Sequence, residues 1–213
     1  MTTVGVARAV PVRSWGVDSL AMIPDVALDS LVRRGVTFIG AYIEILAQNP
    51  SYAKRIHDKG LGIWPILLAR VGALSATAGR ITGEATAHRA AQLGIAFGVH
   101  LCIDDEDTHG TPQDVLADRA ACSEAMFTQG WPAALYVGMP QPNSGAELGM
   151  LSHVTSYARS CSRGVVVPTP RGFSLFQSAP GNELDAETGM RLDWDCILEA
   201  DVKGETPVMW FPE

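Results

Sequence analysis

Residues 96–115, "AFGVHLCIDDEDTHGTPQDV", decide how the rest of the chain is read. A β-type run over 96–106 meets four consecutive acids, Asp104, Asp105, Glu106 and Asp107. Then Thr111 stands where a helix cap belongs, with Pro112 at the first helical position and Gln113 and Asp114 in the first turn, and Gly130 closes the helix. This is a strand followed by a helix, with acids at the junction. Side chains alternate faces along a strand. Phe97, Val99, Leu101 and Ile103 therefore share one face, and Gly98, His100, Cys102, Asp104 and Glu106 the other. The apolar face suits a layer of helices, so the smaller and more polar one points to an interior, with Asp104 and Glu106 at the carboxyl end of the strand. Acid runs are more often solvated loops. Parity separates Asp104 and Glu106 from Asp105, which faces the other way.

The same unit repeats outward from this stretch. "SWGVDSL" (14–20) reads as a first strand, with Pro24 opening a helix and Gly35 ending it. "VTFIGAYIE" (36–44) is a second strand, and "PSYAKRIHDKG" a helix closed by Gly60. "LGIWPILLA" (61–69) is a third, followed by an Ala-rich helix over 80–94. "PAALYVGM" (132–139) is a fifth strand, with a helix expected around 144–158. "GVVVPTP", "FSLFQSA" and "RLDWDCIL" are late strand candidates with little helix between them. Eight strand candidates alternating early with helices predict an α/β fold, a TIM-like (β/α)8 barrel whose last units can be degenerate. A doubly wound sheet is the runner-up, but "GLGIWP" lacks the third glycine and the immediate helix of a dinucleotide fingerprint.

Composition narrows the function classes. The chain has 213 residues, 47% hydrophobic and 18% charged, enough to bury one core, and a single domain over 1–213 is expected. A formal net charge of −7 without a basic block argues against nucleic-acid or anionic-membrane partners. Cys102, Cys122, Cys161 and Cys196 show no metal or disulfide spacing and read as reduced thiols. No HExxH or His-x-His occurs, so a metal centre would need ligands from distant strands, and no metal is expected. His100 reads as a hydrogen-bonded core residue. No GxSxG elbow supports serine acyl transfer.

Two further strands carry acids in comparable positions. Asp18 follows Gly16 in one parity, against Trp15 and Val17, and Asp193 and Asp195 alternate with Leu192, Trp194 and Cys196. First and last strands of a closed barrel are neighbours, so Asp18 and Asp193 are expected to converge. Grouped carboxylates suit acid/base chemistry, because burial and crowding hold one protonated while another stays ionised, the pairing that glycoside hydrolysis needs.

With those residues in place, the chain resembles the family 25 glycoside hydrolases, the lysozyme-like muramidases, and the related DUF1906 (Rv2525c-like) glycoside-hydrolase-like domains. "GVDSL" is similar to the opening strand with its active-site Asp, here Asp18, and "IDDED" to the Asp-x-Glu of the fourth strand, here Asp104 and Glu106. "ALYVGMP" resembles the segment carrying a Tyr, here Tyr136, "SLFQSAP" keeps Gln177 of a Trp-Gln-Tyr-Ser stretch, and "LDWDCIL" puts Asp193 in the closing Asp position. The resemblance implies cleavage of the bond after N-acetylmuramic acid in peptidoglycan, without a cofactor. Its implied catalytic set is Glu106, Asp104, Asp18 and Asp193, with Tyr136, Gln177 and Glu44 toward the glycan, and the residues themselves add Asp195, in the parity of Asp193, and the rim aromatics Tyr42 and Trp64 as substrate-binding candidates. Phe176 and Ser178 replace the aromatics beside Gln177, and Glu44 only loosely echoes a Thr-Glu-Gly. The other reading is a catalytically silent glycan-binding or structural barrel. The first sixteen residues, interrupted by Arg8 and Arg13, do not form a signal-peptide pattern, so the expectation is a cytoplasmic protein, or one released to the wall by a separate route such as a phage holin.

Overall fold

A computed structural model describes residues 5–67, 74–104, 110–139, 141–161, 165–169, 171–178, 184–197 and 204–213. In chain order the elements are β1 (Gly5–Ala9), β2 (Trp15–Asp18), α1 (Asp25–Arg33), β3 (Val36–Tyr42), α2 (Ile43–Gln48), α3 (Pro50–Asp58), β4 (Gly62–Leu67) and α4 (Ala76–Leu93). Then come β5 (Leu101–Asp104), α5 (Pro112–Thr128), β6 (Ala133–Val137), α6 (Gly145–Gly149), β7 (Val154–Arg159), β8 (Leu175–Gln177), β9 (Asp193–Cys196) and β10 (Val208–Pro212). The helix ends follow local chemistry. The Ser75 hydroxyl accepts from the Ala78 amide at the start of α4, and Gly94 ends that helix at φ 74, a conformation costly to residues with a side chain. Thr111 caps α5 in the same way, accepting from Asp114, with Pro112 behind it.

The strands close into a barrel in the order β4-β3-β2-β9-β8-β7-β6-β5, with β5 returning to β4 through Ile66–Cys102 and Leu67–Ile103. Neighbours are parallel except at β9, which runs antiparallel to both β2 and β8. Eight strands thus enclose one interior, the expected TIM-like architecture with a reversed last strand. Alternation sorts the side chains into two layers. Val17, Ile39, Ile63, Leu101, Ile103 and Leu135 pack outward with the helices, whereas Phe38, Tyr42, Trp64, Ile66, Cys102 and Tyr136 fill the interior. On the outside, α4 and α5 press closely together, since a Cβ on Gly79 would stand 2.0 Å from the Asp118 carbonyl oxygen.

One end of the interior is plugged. β10 pairs with β1 along its length and with β4 through Trp210–Ile63, and the Val208 carbonyl accepts from the His100 amide at 2.8 Å. Met209 and Phe211 join Val10 and Phe38 in the interior cluster. Ile63 and His100 mark the amino-terminal end of the parallel strands, so β10 wedges into the seam there and leaves the carboxyl end for the site.

Several sequence readings need correction. The fourth strand begins at Leu101, not at residue 96: Gly98 has φ 85 and Phe97 is 71% exposed rather than facing the helices. The helix expected over 144–158 is only α6, and Val154–Arg159 is a strand. A register irregularity between Ala133 and Ala134 disturbs its pairing, and Val154 and Tyr157, of opposite parity, both lie in the outer core. That broken alternation concealed it. "GVVVPTP" forms no strand over its described residues 165–169. Before β9, Leu184 bridges Arg191, Arg34 pairs with Asp185 at 2.8 Å, and the Arg34 guanidinium lies over the Trp194 ring at 4.5 Å. This segment is the degenerate unit. No described helix is long and apolar enough to cross a membrane.

Candidate functional site

At the carboxyl end of the parallel strands Asp18, Tyr42, Trp64, Ile66, Cys102, Asp104, Tyr136, Gln177 and Asp193 line a well of about 40 Å³. That volume holds no more than a few waters and is too small to enclose a ligand of several rings. Each side chain arrives by strand position. Asp18 ends β2 and Asp104 is the last described residue of β5, in register with Tyr136 of β6. Asp193 begins β9, and because that strand is antiparallel, its first residue lies at the same end as the last of β2: Asp18 and Asp193 are direct cross-strand partners. Gly40 permits this. A Cβ there would lie 2.5 Å from the Asp18 Cβ.

Hydrogen bonds set the orientations. Tyr42 Oη donates to Asp104 Oδ2 at 3.3 Å. The Gln177 carboxamide oxygen accepts from the Cys161 amide at 3.2 Å, which fixes the rotamer of the carboxamide at the end of β8. One step deeper, Asp195 stands opposite Gly16, wholly buried and on the same strand face as Asp193. Neither of its oxygens meets a donor among the described residues, and Asp193 Oδ1 is in the same position. The hydrogen-bonding neighbour of the Asp195 carboxyl is that of Asp18. Two acceptors facing one another in a buried site need a proton between them.

The electrostatics agree. Burial, then the nearby Asp195, Asp193 and Asp104, hold the Asp18 carboxyl well above the usual carboxylate range. Burial, followed by the charge of Asp193, likewise raises Asp195, against the opposing effect of its hydrogen bond with Asp18. Asp193 is pushed up to about 6 by burial and by Asp104. Tyr42 is raised, first by burial and then by Asp18 and Asp104, so it stays a phenol and donates. Among the described residues the charged groups shown to act on Asp18, Asp193 and Asp195 are acidic, so their protonation depends on how many protons these carboxyls share.

Of the residues singled out in the sequence, Asp18, Asp104, Asp193, Tyr42, Trp64, Tyr136 and Gln177 come together here. Trp64 is 1% exposed and forms floor rather than an open stacking surface. Asp195 lies beneath the wall, and Glu44 on α2 is ion-paired with Arg89 of α4 at 2.9 Å and does not line the well. Glu106, with Asp105, Asp107 and His109, lies outside the described residues. Ile66 and Cys102 are wall residues the sequence reading did not assign to a site, although the parity of Trp64 and Asp104 already placed them on the same face. His100 lies at the plugged end, its Nδ1 3.0 Å from Ser156 Oγ, and burial with Arg171 lowers it to about 4. Among the described residues no three His, Cys, Asp or Glu side chains are arranged to hold a metal ion.

No family model and no curated protein matches the sequence. Solved structures share the fold. An uncharacterized B. stearothermophilus protein superposes with TM-score 0.68 at 17% identity, over 86% of this chain and 95% of that one. The Mycobacterium tuberculosis Tat-secreted protein Rv2525c, in complex with L-tartrate, gives 0.63 at 14% identity, over 87% and 96%. The modular autolysin LytC from Streptococcus pneumoniae, in complex with a synthetic peptidoglycan ligand, gives 0.58 at 11% identity, over 93% of this chain and 46% of that one.

Proposed function

We propose that this protein, acting as one domain over residues 1–213, is a glycoside hydrolase of bacterial cell-wall peptidoglycan, an N-acetylmuramidase working by carboxylate acid/base catalysis without a cofactor. The observation that carries this reading is the convergence of Asp18, Asp104 and Asp193 at the carboxyl end of the barrel, with Tyr42 hydrogen-bonded to Asp104. A glycan chain lies across the mouth of the well. Glu106 donates its proton to the glycosidic oxygen as the bond to the anomeric carbon breaks. Asp104, held by Tyr42, supplies the ionised carboxylate that opposes the positive charge growing at that carbon. Water then adds to the carbon, and its proton returns to Glu106. Tyr42, Tyr136 and Gln177 offer hydrogen bonds to sugar hydroxyls. The fold shared with an autolysin solved with a peptidoglycan ligand supports the choice of glycan.

The cramped well favours one other reading, a catalytically silent barrel that binds glycan without cutting it. Reducing-sugar release from purified peptidoglycan separates the two. Wild type releases reducing ends, and Glu106→Gln lowers the rate by about 10²- to 10⁴-fold, because Gln keeps the shape of Glu but cannot deliver a proton. Wild type that sediments with the wall material yet releases nothing is a binder.

A further inference from the structure

We infer that Asp195 is a positioning residue that shares a single proton with Asp18, held in the hydrogen bond between them, so that the Asp18 carboxyl is fixed in orientation and presents its remaining oxygen to the well as an acceptor for a sugar hydroxyl. This rests on the glycoside-hydrolase reading for the role of the well, but its physical basis lies in the barrel wall. Asp18 and Asp195 sit on one face of the antiparallel β2–β9 pair, one step apart on the diagonal, at a separation that long side chains bridge. The Phe38 ring fills the space at Gly16, where a Cβ would stand 2.1 Å from Phe38 Cε2, so the position opposite Asp195 is closed by an aromatic edge rather than by water or a donor. Asp18 is 7% exposed and Asp195 wholly buried.

Among the described residues, the titratable groups that act on the pair are Asp193 of β9 and, on Asp18, Asp104 of β5, with Tyr42 of β3 beside them, while Cys196, next to Asp195 in the chain, lies on the other face of β9. Among the described residues no Lys, Arg or His acts on either carboxyl. Two neighbouring carboxylates that meet no cation among the described residues cannot both ionise cheaply, and one retained proton removes the repulsion and supplies the missing donor. Asp18 reaches the well and Asp195 does not, so the consequence for substrate is felt at Asp18.

The experiment is a ¹³C-carboxyl NMR titration of wild type and of Asp195→Asn, which needs no catalytic activity and so fails separately from the hydrolase reading. In wild type, one aspartate carboxyl keeps its proton past neutral pH. In Asp195→Asn the amide donates to Asp18, and that titration falls by about one unit or more, the effect of exchanging a close acid for a donor. A wild-type protein in which every carboxyl titrates below neutral pH overturns the proposal, as does a high titration unmoved in the variant. Melting temperatures give a second readout. The folded state holds a proton that an unfolded aspartate releases near pH ~4, so stability is full below that pH and is lost as pH rises through the folded titration. Asp195→Asn therefore gains several degrees over wild type at pH 8 and little at pH 5, and an equal difference at both contradicts the shared proton.

Discussion

Replacing Asp104 with asparagine is expected, on the proposed hydrolase reading, to lower the turnover of glycan cleavage by about 10²- to 10⁴-fold, the range in which a positioned acid or base group contributes. The substitution is conservative in every other respect. Asn keeps the volume of Asp, and its Oδ1 still accepts from the Tyr42 hydroxyl that meets Asp104 at 3.3 Å. What disappears is the carboxylate that the proposed mechanism uses at the mouth of the well. The loss is expected in kcat, because the charge matters when the anomeric carbon becomes positive, with KM changed little. Asp105→Asn is the control. The alternation read from the sequence predicts that it faces away from the interior, so a far smaller loss is expected, and equal losses at the two positions would mean that the frame of the acid run is one residue off.

Phe38→Ala carries the largest expected effect on stability. Phe38 is wholly buried in the interior cluster and fills the space left by Gly16, beneath Asp18. Removing a buried aromatic ring costs about 3–5 kcal/mol, and in a domain of this size each kcal/mol moves the melting temperature by roughly 2–4 °C. A drop of about 6–20 °C is expected, with activity weakened in the surviving fold because the floor under Asp18 is gone. A drop below about 2 °C would show that the interior is not the packed core described here.

The barrel was legible wherever strand and helix alternated cleanly. Pro112 and Thr111, Gly35, Gly60 and Gly94 marked helix ends by chemistry that acts within a few residues, and the structure uses them there. The parity of Cys102 and Asp104 against Leu101 and Ile103 showed which acid turns inward, since a strand confined between helices and an interior must sort its side chains by face. Legibility failed where a longer-range cause acts. β7 carries a register irregularity, so its side chains do not keep a period of two, and it was read as helix. β1 and β10 are strands because each finds the other across nearly the whole chain, which no local window contains. Glu44 stood beside Tyr42 in sequence, but a helix begins at Ile43 and turns its carboxylate to Arg89. Asp195 was visible as an inward residue. Its contact with Asp18 depends on the direction of β9, which the sequence did not reveal.

The most direct measurement is mass spectrometry of the soluble material released when purified peptidoglycan is incubated with the wild-type protein and with Glu106→Gln. The expected result is a set of wild-type fragments ending in N-acetylmuramic acid at the reducing end, with the variant folded but releasing at most about a hundredth as much. Fragments ending at any other bond, equal release by the two proteins, or binding to the wall material with no fragments at all would contradict the assignment.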